Sequence, residues 1–187
     1  MSIDLVREIN DLRRSPADYV DKLKRSKEYF KPGTNIWKHP DNESGLKTEE
    51  GPAAYDEAIN FLKNKAQPVG DLKASKGLNK IAEEFLEIYQ KDANANVEIE
   101  PIVEKQGMFF GKFRRFVNFG SFTAEQVIIN LLASDGDKKR SHRNNILDPN
   151  LTTVGVAYGK HDTFKSIAVI VACNKFVNTH DKDDSAE

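Results

Sequence analysis

His142 offers the widest chemistry of any side chain in this sequence, and it lies in a polar segment crowded with charges. An imidazole changes charge near neutral pH, so it suits both proton transfer and the binding of divalent metals. A metal site also needs three or four converging donor atoms. His39, His161 and His180 show no ligand-like spacing to His142. The pattern therefore favours a structural histidine, hydrogen-bonded to the backbone or to Asp135, over a metal ligand.

Basic residues crowd the positions around this histidine. Lys138, Lys139 and Arg140 follow two aspartates, and Arg143 comes three positions later. Such a cluster would suit an anionic lipid headgroup or the acidic surface of a protein partner. The simpler alternative, which the pattern favours, is a solvated loop whose positive charges are balanced by the neighbouring acids.

Two enzyme classes use residues of these types, and the spacing supports neither of them. A metal-dependent nuclease would need a second histidine or acid at a fixed sequence distance from His142. A serine hydrolase would need a G-x-S-x-G turn, whereas Ser141 merely adjoins the histidine. Asn144 and Asn145 fit better as residues that hold a loop through backbone hydrogen bonds. No enzymatic activity is predicted from these residues.

A second basic stretch alternates with aromatic rings. Lys112, Arg114 and Arg115 are interleaved with phenylalanines, as in platforms that bind single-stranded nucleic acid. The whole chain, however, has 28 basic and 29 acidic residues, and dedicated nucleic-acid binders usually carry a basic surplus. We therefore expect an edge strand with its aromatic side chains inward and its basic side chains outward, and no nucleic-acid partner.

Apolar residues at helical spacing predict most of the elements that must hold these groups. Capping residues such as Ser2, Ser15 and Thr123 precede several of these runs. A surface loop over residues 31–51 follows the second helix, and Trp37 is expected to pin it to the body of the protein. The predicted helices cover residues 3–12, 16–23, 52 to just before Pro68, 75–91 and 124–132.

Two strands are predicted near the C-terminus, at 154–159 and 167–173. The second is apolar at every position, so both of its faces should be covered. Shorter strands are expected at the apolar residues between 97 and 103. Helices first and strands last predict an α/β (α+β) class, a three-layer α–β–α sandwich with a small, mostly antiparallel central sheet. One domain over residues 1–177 and a polar tail over 178–187 are expected.

The composition limits where the protein is expected to act. The chain begins without a basic and apolar leader, and it has no stretch of ~18 apolar residues that could cross a bilayer. Its one cysteine, Cys173, lies in an apolar run and is expected to be a buried free thiol. These features predict a cytoplasmic or other intracellular protein. The alternative is a secreted protein whose signal peptide has been removed, and no oligomeric state is predicted.

Several local motifs, taken in order, resemble one known family. The most specific is H-R-N-N-I-L at 142–147, which precedes a V-G-V-A strand. The series resembles the CAP superfamily, the SCP domain of cysteine-rich secretory proteins, wasp venom antigens and plant pathogenesis-related proteins. Within it, the disulfide-free branch of bacteria and protists is the most similar, and the likeness covers residues 3–176. The other segments that carry it are Glu8–Pro16, Glu50–Leu62, Asp71–Ala82 and Asp135–Asn150.

The resemblance implies an α–β–α sandwich with a cleft lined by two histidines and two acids, which in some members holds a divalent metal. His142 matches one of these histidines, and Ser141 stands where the family has glycine. Asp135 matches one of the acids. No acid lies near 115–120 and no histidine near 94–100, where the other two residues are expected. The resemblance therefore implies a cleft that has lost most of its metal ligands.

The chain is accordingly predicted to be a non-enzymatic CAP protein that acts as a protein-interaction or scaffold module without a cofactor. Binding of a sterol or fatty acid is the alternative function, with the phenylalanine-rich stretch 109–122 lining an apolar groove. A residual hydrolase that uses zinc or another divalent metal at His142 is the third hypothesis. The predicted cleft residues are His142, Asp135, Arg143 and Asn145, and the predicted contacts to an anionic partner are Lys138, Lys139 and Arg140.

Overall fold

The structure is a computed structural model that describes residues 2–40 and 45–179 of the 187-residue chain. Its helices, in chain order, are α1 (Ser2–Arg14), α2 (Tyr19–Lys27), α3 (Pro52–Asn64), α4 (Lys76–Lys91), α5 (Glu100–Val103), α6 (Ala124–Ala133) and α7 (Ser141–Ile146), and a 3₁₀ turn at Pro16–Asp18 precedes α2. Its strands are β1 (Ile36–Trp37), β2 (Leu46–Lys47), β3 (Lys73–Ala74), β4 (Gly107–Phe119), β5 (Thr153–His161) and β6 (Lys165–Asn178). The five predicted helices correspond to α1, α2, α3, α4 and α6.

The chain divides into two compact units, each built from segments that are distant in sequence. The first unit holds the residues up to Asn10, Gly70–Val127 and the residues from Pro149 onward. The second unit holds Asp11–Val69 and Ile128–Asp148. The expectation of a single domain over residues 1–177 stays a prediction.

A four-stranded sheet forms the centre of the first unit, in the order β3-β5-β6-β4. β6 pairs antiparallel with both β4 and β5, while the short β3 runs parallel to β5. Residues 166–173 of β6 are buried at every position. This continuous burial confirms the prediction of a strand that is covered on both faces, and the pairing confirms a small, mostly antiparallel sheet.

Helix α4 packs against this sheet through one apolar face. Leu78, Ile81 and Phe85 are fully buried, and their spacing places them on one side of the helix. Ser75 caps the helix, because its hydroxyl accepts a hydrogen bond from the Leu78 amide. Gly155 of β5 lies directly beneath: a Cβ added there would come within 2.1 Å of the Leu78 carbonyl carbon. The helix and the strand therefore approach each other more closely than a side chain at this position would permit.

Strand β4 lies at the edge of the sheet, as predicted, but its basic residues do not all point outward. Phe113 and Val117 pack against the apolar cluster beneath α4. Arg115 lies on the same side, with its guanidinium 4.7 Å from the ring centre of Phe85 and 5.4 Å from that of Tyr89. Successive side chains alternate along a strand, so Arg115 shares the face of the residues two positions away. The prediction of outward-facing basic residues is wrong for Arg115.

The short strands expected between residues 97 and 103 are not found in the described chain. Glu100–Val103 instead forms α5, with Pro101 in its first turn. A proline at that position already has a helical φ and gives up no helix hydrogen bond, so it favours a helix start. Ile102 and Val103 are buried in the same apolar cluster as α4. The hydrophobic pattern correctly predicted that Ile102 and Val103 are buried, but it predicted strands where the chain forms a helix.

In the second unit, α2 and α3 pack together around aromatic side chains. Tyr55 is buried, and burial raises the pKa of its phenol to about 12. Trp37 is also buried, and its indole N–H donates a hydrogen bond to the Ser26 carbonyl at 2.8 Å. Trp37 therefore pins the segment 31–51, as predicted. That segment is not a plain loop, because β1 and β2 pair within it, while residues 41–44 lie outside the described residues.

Mixed helices and strands with small sheets confirm the predicted α/β sandwich class. None of the described helices combines the length and the apolar character needed to cross a bilayer. Cys173 is buried within the apolar cluster of the first unit, as predicted for a free thiol. Strand β6 extends into the expected tail as far as Asn178, and residues 180–187, with His180, lie outside the described residues.

Candidate functional site

The segment around His142 is a tight turn followed by the short helix α7, where the sequence pattern indicated only a polar segment. Ser134 (φ 45°), Gly136 (φ 77°) and Arg140 (φ 52°) adopt left-handed backbone conformations. This conformation is unfavourable for Ser134 and Arg140, which carry a Cβ, so surrounding contacts must hold the turn. Ser141, which replaces the glycine of the family motif, is not among these residues and begins α7. A glycine is therefore not required at that position.

Ser134 and Asp137 hold the turn through hydrogen bonds to the backbone. The buried Ser134 hydroxyl donates to the Leu131 carbonyl at 2.8 Å and accepts from the Arg143 amide at 3.2 Å. The Asp137 carboxylate accepts from the Ser141 amide at 2.6 Å and from the Lys139 amide at 2.9 Å. The bond from the Ser141 amide is the main reason that the pKa of Asp137 is lowered. These bonds fix the start of α7.

Asp135, the predicted cleft acid, is bound to backbone amides that precede α3. Its carboxylate accepts hydrogen bonds from the amides of Glu49 and Glu50 at 2.7 and 2.8 Å. In return, the Gly136 amide donates to the Glu50 carboxylate at 2.9 Å. Asp135 therefore ties the chain before α3 to the turn before α7.

Arg140 and Arg143 form one ion-pair network with Glu50 and Glu57. Arg140 donates to the two carboxylate oxygens of Glu50 at 2.6 and 2.7 Å, and its Nε lies 3.1 Å from Glu57. Arg143 donates to the two oxygens of Glu57 at 2.8 and 2.6 Å. The hydrogen bond from Arg140 is the main reason that the pKa of Glu50 is lowered, and the same bond raises the pKa of Arg140. The planar guanidinium group favours such paired contacts with a carboxylate.

Arg143 is the most deeply buried member of this network, with 1% of its surface exposed. Its guanidinium lies over the ring of Phe61 at 4.6 Å and donates to the Leu132 carbonyl at 3.3 Å. Its Nε is buried and has no hydrogen-bond partner among the described residues. Arg13 is fully buried as well and donates to the Ile146 carbonyl at 2.7 Å. Both arginines belong to the interior of the second unit.

His142 is half-buried in the first turn of α7. Burial lowers the pKa of its imidazole, and the negative charge of Asp137 opposes part of that shift. The neutral imidazole therefore predominates at pH 7. Within residues 2–40 and 45–179, no group of three or more histidine, cysteine or acidic side chains is arranged to hold a metal ion. What His142 offers is a neutral, partly accessible imidazole near the carboxylate of Asp137.

We predict that acidification destabilises the fold through His142. Because its folded-state pKa lies below the ordinary value of 6.5, the unfolded chain takes up a proton first as the pH falls. The free energy of unfolding should therefore decrease as the pH drops below 6.5 toward the lower folded-state pKa. Chemical denaturation at a series of pH values should show a smaller decrease for His142→Gln than for the wild type. Equal decreases would assign the pH dependence to other groups.

The structure brings Asp135, Arg140 and Arg143 together, and it leaves Lys138 and Lys139 exposed. Asn145 is partly exposed, and Asn144 is exposed while its amide donates to the Lys139 carbonyl at 3.0 Å. Sequence reasoning missed the acids that pair with the two arginines. They are Glu50 and Glu57, which lie 90 and 86 positions from Arg140 and Arg143 respectively, so no local pattern links them.

Comparisons with known proteins cover most of the chain. The family model of CAP, the cysteine-rich secretory protein family, matches residues 6–175. Among solved structures, the chain is similar to an outer surface protein from Borrelia burgdorferi, with a TM-score of 0.48 and 15% identity over 66% of this chain and 90% of that chain. It is also similar to a cysteine-rich secretory protein from Staphylococcus aureus, with a TM-score of 0.43 and 16% identity over 66% of this chain and 38% of that chain. No curated protein sequence matches the chain.

Proposed function

The chain belongs to CAP, the cysteine-rich secretory protein family, and on this premise we propose that it is a non-enzymatic protein-interaction module. The proposed binding surface is the outer side of the turn before α7, with Lys138, Lys139 and Asn144. The proposed partner is a protein with an acidic surface. The observation that carries the proposal is that the charged groups beneath this surface are bound to one another and to the backbone.

The carboxylates and the buried arginine that catalysis or metal binding would use form hydrogen bonds and ion pairs within the protein. Asp135 and Asp137 each accept two hydrogen bonds from backbone amides. Arg143 is buried against Glu57. A general base or a metal ligand must direct lone pairs at a substrate or an ion, and each of these carboxylates directs two of its lone pairs at backbone amides. Such an arrangement supports a recognition surface better than an active site.

The backbone that carries the exposed lysines is fixed by hydrogen bonds at both the amide and the carbonyl of Lys139. The Lys139 amide donates to Asp137, and the Lys139 carbonyl accepts from the Asn144 side chain. Neither Lys138 nor Lys139 forms an ion pair with any residue of the described chain. A backbone that is already ordered loses less conformational freedom on binding, and this favours association. Two adjacent ammonium groups on such a backbone suit an acidic protein surface.

Titration with zinc chloride tests the part of the proposal that concerns metals and catalysis. We expect calorimetry to give no tight, stoichiometric binding to the wild-type protein, and the same result for His142→Ala. Tight binding that disappears in His142→Ala would contradict the proposal. So would a metal-dependent hydrolytic activity that is lost in the same variant.

A charge-reversal pair tests the binding surface. We expect proteins that are captured by the immobilised wild type to be lost from the Lys138→Glu/Lys139→Glu variant. The matched control is Lys31→Glu/Lys47→Glu, which makes the same charge change at two exposed lysines of the same unit. The control should retain the captured proteins. Equal capture by both variants would rule out the turn before α7 as the binding surface.

The alternative of lipid binding has less support from the geometry. It requires the phenylalanine-rich stretch 109–122 to line an open apolar groove. Phe109, Phe113 and Phe119 instead pack against the cluster beneath α4, and Phe116 is buried. Most of these rings therefore contribute to the packing of the first unit, and the interaction module remains our proposal.

A further inference from the structure

An apolar pocket opens where the start of β4 meets the end of β6. It has a volume of about 410 Å³, and Met108, Phe110 and Val177 form the apolar part of its lining. Met108 is 57% exposed and Phe110 is 49% exposed, which is unusual for large apolar side chains. This volume lies near the lower end of the range for ligand pockets, so it suits one or two apolar side chains of a partner.

The pocket lies on the face of the sheet that α4 does not cover. Phe109 of β4 and Phe176 of β6 pack against the apolar cluster beneath α4. Met108 and Val177, which follow one another in the register, are their neighbours along the two strands. Successive side chains of a strand point to opposite faces, so Met108, Phe110 and Val177 point away from α4. One face is therefore filled at this end of the sheet, while the other remains accessible.

Two carboxylates stand beside the pocket without a cation. Among the described residues that line it, Glu104 alone carries a charge. Glu100 lies one turn earlier, since the Glu104 amide donates to the Glu100 carbonyl at 3.0 Å. Both side chains are exposed, and neither forms an ion pair within the part of the chain that the structure describes. Lys105, the next residue, is instead paired with Glu84 of α4.

These acids repel one another in the free protein. Like charges four positions apart on a helix are destabilising, and Glu100 and Glu104 have this spacing. Glu98 is exposed as well, and residues 98–104 include three acids and no basic residue. A cationic group that binds beside the pocket would therefore relieve an existing repulsion as well as form new ion pairs.

Charge decides which occupant fits the pocket. Anionic lipid headgroups would meet the three acids of residues 98–104 with like charge. A second copy of the chain offers Lys138 and Lys139, but residues 134–145 include no exposed large apolar side chain that could enter the pocket. A single small cation would leave either the pocket or some of the acids without a partner. A basic protein segment that carries an apolar residue supplies both groups.

We propose that this pocket binds a basic segment of another protein, which inserts one apolar side chain against Met108 and Phe110 and pairs its lysines or arginines with Glu100 and Glu104. The ammonium group of Lys175 lies 5.7 Å from the ring centre of Phe110, so the basic residues belong on the Glu104 side of the apolar one. The surface lies in the first unit and takes a basic partner, whereas the turn before α7 lies in the second unit and takes an acidic one. The protein would thus present two surfaces of opposite charge preference.

Fluorescence anisotropy with a labelled peptide of about ten residues tests the proposal on the full chain. The probe begins with phenylalanine and continues with alternating lysine and serine, and a second probe has the reverse order, because the segment can run in either direction. We expect one of the two to bind, and its affinity to fall about tenfold in Met108→Ser/Phe110→Ser. The control is Phe122→Ser/Phe164→Ser, which changes two exposed apolar side chains elsewhere in the unit and should bind as the wild type does.

Isosteric neutralisation tests the charged part of the surface. Glu100→Gln/Glu104→Gln should weaken the same probe about fivefold, because two exposed ion pairs are lost. The control is Glu28→Gln/Asp162→Asn, which removes two exposed acidic charges at other places and should leave the affinity unchanged. A probe with glutamate in place of lysine should not bind.

Several results would overturn the proposal. They include failure of both lysine probes, equal affinities of the pocket variant Met108→Ser/Phe110→Ser and its control, and binding of the glutamate probe. A dimer in sedimentation that is lost in the pocket variant would assign the pocket to a second copy. A large rise in affinity on removal of residues 180–187 would assign it to the chain's own C-terminal residues, and phosphatidylserine vesicles that bind through the pocket would assign it to a membrane. None of these results affects the zinc and charge-reversal tests of the turn before α7.

Discussion

Gly155→Ala is expected to lower the free energy of unfolding by about 3 kcal/mol, near the upper end of the usual cost of overpacking. The added methyl carbon would lie 2.1 Å from the carbonyl carbon of Leu78, 2.3 Å from its oxygen and 2.4 Å from the Asn79 nitrogen. All three atoms belong to the backbone of α4, so no side chain can rotate away to make room. The helix would have to move off the sheet and leave its apolar contacts incomplete.

The matched control for this substitution is Gly70→Ala. A Cβ added at Gly70 meets no atom within 4 Å, and its φ is not in the left-handed region. Alanine there reduces the freedom of the unfolded chain, so the stability should be unchanged or raised by up to about 1 kcal/mol. Urea denaturation followed by circular dichroism measures both variants. A loss below about 1 kcal/mol at Gly155 would mean that α4 does not approach β5 as closely as described.

Arg143→Ala is expected to cost about 3 kcal/mol as well, because it removes a buried cation with several partners. The Leu132 carbonyl loses a donor, and Phe61 loses the guanidinium above its ring. Glu57 loses its main partner, but this carboxylate is 46% exposed and water can solvate it, which limits that part of the cost. Trp37, the one tryptophan of the chain, lies in the same unit and reports its unfolding by fluorescence.

An exposed ion pair provides the control for Arg143. Lys24 and Asp21 lie 2.8 Å apart on the surface of α2, and because water screens this pair, Lys24→Ala should cost much less than Arg143→Ala. The double variant Arg143→Ala/Glu57→Gln then measures the coupling between the buried arginine and its partner. Additive losses would show that Arg143 stabilises the unit through its contacts with Leu132 and Phe61 and not through Glu57. A loss like that of Lys24→Ala would contradict its interior position.

The elements that sequence reasoning predicted correctly are those whose signal is local. The helical spacing of Leu78, Ile81 and Phe85 identifies α4, and the continuous apolar run of 167–173 identifies a strand buried on both faces. Both signals depend only on residues that are neighbours in sequence. The secondary structure of the chain is therefore largely readable without knowledge of its tertiary contacts.

The failures have two physical causes, one that depends on tertiary geometry and one that is local. The side-chain direction of Arg115 follows from the strand register of β4, and a bulge between Phe110 and Phe113 sets that register. The helix α5 replaces the expected strands because Pro101 favours a helix start there. Apolar content alone does not distinguish these outcomes.

The candidate site was predictable in its position but not in its contacts. The motif around His142 marked the correct segment, and the acid near it was expected to be Asp135. The structure instead places the charge of Asp137 close to His142 and binds Asp135 to the backbone before α3. Ion pairs that join residues nearly ninety positions apart appear only once the chain has folded.

The central position of β6 has a consequence for how the protein is made. β4 and β5 are neighbours of β6 and not of each other, and β6 is the last of the three strands to be synthesised. Translation at about 5–20 residues per second leaves β4 without its partner for a few seconds. A nascent chain halted before residue 165 should therefore expose unpaired strands and bind chaperones, and arrival of β6 should let the sheet assemble in one late, cooperative step.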